Sequence, residues 1–292
     1  MQIYRPQGMQ RPNRRTLATL ALSALLALQS APSLTETQAA IAGSFPAGTD
    51  ELTKYLTEQQ SAHNVPAMAL VLFEGGQTTV LSAWGLSALG KEVTVDTPFR
   101  WGSITKTFTA LALLRLVEQG KVSLAQPLRE LVPRGLFVNP WQRSHPVTLA
   151  QLLELSAGFS DLSALEFTYN EALPLAAAME LSPLSRKALW PPGLQHSYSN
   201  STPGLTAAVV EAVTGERFEE FIRNEVLRPL GMSAANLEPV AGLPGGFKAD
   251  GKTAIPYWHM TFPAFGALNA SPREMTEFLG VLLNDGYPAG QA

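Results

Sequence analysis

Apolar and polar positions along "AMALVLFEGGQTTVLSAWG" form two β-rich runs, and the Gly75-Gly76 pair between them supplies the positive φ that a tight hairpin needs. Two antiparallel strands are predicted there. Just upstream, "DELTKYLTEQQSAHN" from Asp50 places Leu52, Tyr55, Leu56 and Gln59 on one side of a helix. From Phe99 the character changes to helical and stays so through Asn284, punctuated by Pro- and Gly-rich loops such as "WPPG" at Trp190 to Gly193. Thr148 with Gln151, and Ser271 with Glu274 behind Pro272, read as capping-box starts, and Gly215 as the C-cap of "GLTAAVVEAVTG". The pattern predicts a mixed α/β (α+β) fold: an antiparallel sheet flanked by helices plus a mainly helical region. One hairpin cannot form a stable sheet by itself. "KADGKTAIPYWHMTFP" is the segment with room for another strand, and the chain ends soon after at "NDGYPAGQA". The expectation is therefore a chain cut short, with C-terminal strands missing.

Composition narrows the class of protein. The 292 residues are 46% hydrophobic and 15% charged, with a formal net charge of −3, which suits a globular protein with a sizeable core in one or two domains. No Lys/Arg cluster occurs in the body of the chain, so nucleic acid is set aside as a partner. The absence of cysteine removes disulfides, thiol nucleophiles and thiolate metal sites. His63, His145, His196 and His259 stand at no metal-ligand spacing, and no metal or cofactor is expected. At the amino end, Arg5, Arg11, Arg14 and Arg15 come with no acidic residue and precede "TLATLALSALLALQSA", a short apolar run closing on small residues. That pattern predicts an export signal and flexible leader over residues 1–39, with cleavage between Ala31 and Ala39. The run falls short of the roughly 18 residues of a membrane span. A secreted or periplasmic protein with no stable span after signal removal is expected.

Candidate chemistry centres on "FRWGSITKTFTALALLRLVEQG", which sets a lysine ahead of a run so apolar that its helix must be buried. If that helix begins near Ser103, Ser103 and Lys106 project from the same side of its first turn. A serine hydroxyl is a poor nucleophile until a base takes its proton, and a neutral amine can be that base. Burial favours the neutral form of an amine, and the start of a helix favours a developing oxyanion. The same residues equally suit a plain helix start, with Ser103 as cap and Lys106 snorkelling from the first turn. A second stretch, "WPPGLQHSYSNSTPGL", puts Tyr198 and Asn200 two apart after an irregular loop. A phenol beside an ammonium can serve as a base, and an amide can accept from a lysine while donating to a substrate. His196 lies close by but reads as a surface or hydrogen-bonding residue.

These stretches resemble the serine β-lactamase and penicillin-recognising family, in its class C and related esterase branch, which carries Y-x-N where class A enzymes carry S-D-N. "VPAMALVLFEGGQTTVLSAWG" is similar to the family's opening hairpin, and "TPFRWGSITKTFTALALLRLVEQGKVSLAQPL" to the block around its nucleophile. "VTLAQLLELSAGFSD", "WPPGLQHSYSN", "EAVTGERFEEFIRNEVLRPLGM" and "FGALNASPREMTEFLGVLL" follow in the family's order. The resemblance implies a β-lactamase/transpeptidase-like hydrolase domain over residues 45–292, incomplete at its C-terminus. It implies Ser103 as the acylated nucleophile, Lys106 as its partner in proton transfer, Tyr198 as the base shared with Lys106, and Asn200 as the residue orienting lysine and substrate amide. Two departures stand out. Leu155-Ser156-Ala157-Gly158 replaces the H-T-S-G of many relatives, and no K-T-G occurs; the resemblance implies that this third motif, K-T-G or a variant such as H-x-G or W-x-G, would lie on a strand after the point where the chain ends.

The expected function is that of an exported serine hydrolase that forms an acyl-enzyme on Ser103 and acts on β-lactam or D-amino-acid peptide amide bonds. Its partner would be a small-molecule or peptide substrate. The alternatives are a carboxylesterase of the same fold acting on small esters, and a truncated relative without catalysis.

Overall fold

Two glycines in the left-handed region, Gly75 at φ 58° and Gly76 at φ 81°, turn the chain between β1 (Ala67–Glu74) and β2 (Gln77–Gly85), which pair antiparallel as the pattern predicted. The computed structural model describes residues 49–181, 183–239, 246–284 and 286. The expected leader over residues 1–39 lies outside the described residues. The chain divides into two units, Met1–Gln59 and Gln60–Ala292. Helix α1 (Thr49–Ala62) bears out the helix expected from Asp50 and supplies all that is described of the first unit.

In the second unit, β3 (Phe99–Arg100) leads through a 3-10 turn, Gly102–Ile104, into α2 (Thr105–Glu118). α2 therefore starts two residues later than the expected position near Ser103. Gly102 at φ 53° interrupts the approach, and the Thr105 hydroxyl donates to the Gly102 carbonyl at 2.6 Å, which closes the tight turn. The apolar run does bury one face of α2, with Phe108, Ala112, Leu113 and Leu116 fully enclosed.

Further along are α3 (Leu149–Leu153), β4 (Thr168–Tyr169), α4 (Leu175–Leu181), α5 (Ser201–Thr214) and α6 (Phe218–Ile222), the last continued by a wider π turn over Arg223–Leu227. The predicted capping box of Thr148 and Gln151 opens α3, and Gly215 at φ 74° ends α5. Short strands β5 (Gly246–Phe247), β6 (Ala254–Ile255), β7 (His259–Met260) and β8 (Asn269–Ala270) precede α7 (Pro272–Leu283), which starts on the expected Ser271/Glu274 box. "KADGKTAIPYWHMTFP" thus does contain strand, but β6 pairs with β5 and β7 with β4, and neither joins the hairpin. Among the described residues every sheet is a two-stranded antiparallel ladder, completed by β3 with β8. The hairpin is instead covered by α7, which packs on both its strands.

The core lies where α2, α5, α6 and the π turn meet. Each large apolar side chain enclosed there contributes on the order of 2 kcal/mol. Phe108 links this core to the hairpin layer, since its ring lies 4.5 Å from that of Phe278 on α7. A second constraint holds the loop that carries Tyr198. Residues 155–158 accept from it three times: Leu189 N–H donates to Gly158 O (2.9 Å), Gly193 N–H to Ser156 O (2.8 Å) and Ser197 N–H to Leu155 O (2.8 Å). At Gly158, φ is 83° and an added Cβ would lie 2.5 Å from the Trp190 carbonyl oxygen, so only glycine permits this approach.

Two stability tests follow from this packing. Phe108→Ala is expected to cost about 3–5 kcal/mol, read as a lower urea midpoint with an unchanged slope; a midpoint equal to wild type would contradict the shared core. Gly158→Ala is expected to cost about 2 kcal/mol or more through φ strain and backbone contact, and an unshifted thermal midpoint would contradict the constraint on the loop.

Candidate active site

The 3-10 turn ahead of α2 brings Ser103 and Lys106 together: Lys106 Nζ donates to Ser103 Oγ at 3.2 Å. The turn is fixed from several directions. Trp101 N–H donates to the Leu268 carbonyl and its indole N–H to the Ala270 carbonyl, while the Leu268 N–H donates to the Thr105 hydroxyl. Arg100 sits with its guanidinium 4.2 Å from the Tyr257 ring and 4.6 Å from that of Trp258, and donates to the Trp258 carbonyl. Burial and this neighbouring cation push the His259 imidazole below its usual range.

Tyr198 reaches the same oxygen, its hydroxyl donating to Ser103 Oγ at 2.8 Å. Asn200 is the residue from which α5 departs, and its Oδ1 accepts from Lys106 Nζ at 2.7 Å. All four side chains singled out in the sequence, Ser103, Lys106, Tyr198 and Asn200, therefore form one connected hydrogen-bonded group. The surroundings differ from the enclosed setting that the apolar run suggested. Ser103 is exposed, Tyr198 is 46% exposed and Lys106 is half-buried, because the 3-10 turn and the loop carrying Tyr198 lie at the surface end of α2 rather than within its buried face. His196 is exposed and takes no part in the contacts around Ser103 Oγ.

Two groups that sequence reasoning missed complete the arrangement. The backbone carbonyl of Phe265 accepts the third Lys106 hydrogen bond at 2.8 Å, and the rings of Tyr198 and Phe265 flank the ammonium at 4.8 and 5.5 Å. Asp161 receives the Asn200 backbone N–H at Oδ1 (2.8 Å), and Asn200 Nδ2 lies 3.1 Å from both its carboxylate oxygens. The only sequence signal for Asp161 was its place at the end of "LSAGFSD", inside a block already picked out. A main-chain carbonyl leaves no such signal.

Chemically, a hydroxyl placed between these two groups can lose its proton to the lysine as a neutral amine or to the tyrosine as a phenolate, and the two accepting carbonyl oxygens hold the amine in place. Among the described residues no helix is long and apolar enough to cross a membrane.

The Beta-lactamase family profile matches residues 52–292. Among curated proteins, the chain is 25% identical over 185 residues to penicillin-binding protein 4 of Amycolatopsis lactamdurans, covering 63% of this chain and 48% of that one. It is 29% identical over 177 residues to a beta-lactamase of Escherichia coli strain K12, covering 60% and 44% respectively. The chain thus spans less than half the length of these relatives. Two solved structures share the fold. The octameric penicillin-binding protein homologue from Pyrococcus abyssi superposes with a TM-score of 0.69 at 24% identity, over 82% of this chain and 57% of that one. The β-lactamase/D-alanine carboxypeptidase from Yersinia pestis, complexed with citrate, gives 0.60 at 23% identity, over 80% and 68%. With a family match that runs through nearly all of the described residues and the mixed α/β fold of both solved structures, this chain belongs to the Beta-lactamase family.

Proposed function

We propose that the protein is a serine hydrolase that forms an acyl-enzyme on Ser103 and acts on β-lactam or D-amino-acid peptide amide bonds. The observation that carries this reading is the pair of contacts on one oxygen: Tyr198 Oη at 2.8 Å and Lys106 Nζ at 3.2 Å from Ser103 Oγ. Relatives named penicillin-binding protein, beta-lactamase and D-alanine carboxypeptidase support the substrate class.

In the first step Ser103 Oγ attacks the amide carbonyl carbon, and its proton passes to the Lys106–Tyr198 pair. The pair must start one proton short of full protonation, as neutral amine with phenol or as ammonium with phenolate; the two forms are one coupled acid–base unit. The tetrahedral oxyanion develops beside the Ser103 amide at the amino end of α2, where the helix dipole favours negative charge. Collapse breaks the C–N bond, and the pair returns the proton to the leaving nitrogen. Water then adds to the acyl ester, with the pair taking its proton, and the Ser103 O–H bond re-forms as the carboxylic acid leaves. Asn200 Oδ1 holds Lys106 throughout. A single Nδ2–H shared between the two Asp161 oxygens leaves the other for the substrate carbonyl.

Incubation with a fluorescent penicillin or a fluorophosphonate is expected to leave a covalent tag on wild type and none on Ser103→Ala. Tyr198→Phe keeps the fold but removes the proton-carrying hydroxyl, so its labelling rate is expected to fall about a hundredfold or more. A tag that survives Ser103→Ala, or a wild type that acquires none with either probe, would overturn the reading.

We further propose export, with residues 1–39 as the leader and residues 45–292 as the hydrolase domain. N-terminal sequencing of the protein released by an exporting host is expected to begin between Ala31 and Ala39. A start at Met1 in the cytosolic fraction would contradict it.

A further inference from the structure

An asparagine side chain presents a donor and an acceptor of nearly equal shape, and its partners alone decide which faces where. At Asn200 the choice matters, because Lys106 Nζ requires an acceptor. If the amide were reversed, its NH2 would stand 2.7 Å from an amine that is itself a donor. We infer that Asp161 is a positioning residue for the nucleophile: its carboxylate fixes the Asn200 amide with its oxygen toward Lys106. The inference rests on the acylation chemistry proposed above and adds to it a residue that touches neither Ser103 nor a reacting atom.

The geometry supports this at three points. A carboxylate at neutral pH offers only acceptors, and both Asp161 oxygens lie 3.1 Å from Asn200 Nδ2, so only the NH2 end of the amide can face it. Asp161 is itself immobilised, since its Oδ1 also accepts the Leu162 N–H (2.8 Å) and the Asn200 N–H (2.8 Å). A parallel tie one residue back, from the Ser199 hydroxyl to the Ser160 carbonyl at 2.8 Å, holds the two loops in register. Asp161 is exposed while Asn200 is buried, so the carboxylate keeps its hydration on one side and organises the amide on the other. The structure thus runs as a relay from Asp161 to Asn200 to Lys106 to Ser103.

The relay makes an unusual ordering of variants. Asp161→Asn keeps the shape but turns one oxygen into an NH2. With Asn200 in its present orientation two NH2 groups then meet at 3.1 Å, and with Asn200 reversed two oxygens meet while an NH2 turns on Lys106. Asp161→Ala imposes neither conflict, because water can enter at this exposed position. A merely structural role would rank the isosteric change as the milder one.

The test compares acylation rate constants for a fluorescent penicillin, with thermal midpoints confirming folding. Asp161→Asn is expected to acylate roughly ten- to a hundredfold more slowly than wild type, with little change in the concentration for half-maximal rate. Asp161→Ala is expected to fall between the two. In an Asn200→Ala background, Asp161→Asn is expected to change the rate by less than about twofold, since the group it acts through is gone. Wild-type acylation by Asp161→Asn, a milder effect than that of Asp161→Ala, or effects that multiply in the double variant would each overturn the inference. If the wild type is not acylated at Ser103 at all, the proposed function fails and the relay is judged separately in a crystal structure of Asp161→Asn. Loss of the contact between Lys106 Nζ and the Asn200 oxygen would sustain it, and an unchanged contact would refute it.

Discussion

The arrangement depends on satisfying one ammonium. Lys106 Nζ has three hydrogens and finds three oxygens for them: Ser103 Oγ three residues away in sequence, Asn200 Oδ1 ninety-four away and the Phe265 carbonyl 159 away. Taking even half of a lysine head group out of water is costly unless its hydrogen bonds are replaced. Bonds to a charged donor are each stronger than neutral ones, and the two aromatic faces beside it add to them. Because the acceptors come from the turn before α2, the start of α5 and the chain ahead of β8, satisfying the lysine requires these three segments to meet.

The apolar core determines where that meeting occurs. α2 buries Phe108, Ala112, Leu113 and Leu116, and this face also carries two hydroxyls. Thr109 donates to the Ala264 carbonyl at 2.7 Å, and Thr105 both donates to the Gly102 carbonyl and accepts from the Leu268 N–H. Residues 264–268 are therefore held against α2 by threonines one turn apart. The Phe265 carbonyl lies between these two attachment points. Its placement over Lys106 follows from side chains that themselves touch no reacting group. Packing of α2 against α5 fixes the helix whose first residue follows Asn200, so the core delivers two of the three acceptors.

What could be read from the sequence shares a local cause. The Gly-Gly hairpin, the two capping boxes, the Gly215 cap and the Ser103–Lys106 pair are all encoded within about four residues of one another, and each was found. The fold class followed from the same patterns, and the resemblance supplied the distant pairing of Tyr198 with Ser103. The 3-10 turn was missed because its cause, a positive φ at Gly102, looks in sequence like any glycine before a helix. The enclosed setting was overestimated because apolar periodicity describes the face of α2 that meets the core, and Ser103 precedes that face. Asp161 escaped notice because its partner lies thirty-nine residues away in an aperiodic loop. Strand content near the carboxyl end was anticipated, but not its pairing away from the hairpin, since two-residue ladders carry too little pattern to specify a partner.

The same contacts explain how a proton can travel without moving the heavy atoms. An amine nitrogen has four tetrahedral directions, one taken by its carbon. Asn200 Oδ1 and the Phe265 carbonyl can only accept, so they claim two N–H bonds whether the nitrogen is charged or neutral. The remaining direction points at Ser103 Oγ and holds a hydrogen in the ammonium and a lone pair in the amine. Tyr198 offers the matching choice at the same oxygen, donating as a phenol and accepting as a phenolate. In the proposed acylation the serine proton then has one receptive direction in each form of the pair, the amine lone pair or the phenolate oxygen, and the lysine has no freedom to turn away. Fixed acceptors lower the reorganisation that each transfer would otherwise require, a benefit that an equally close but unanchored lysine would lack.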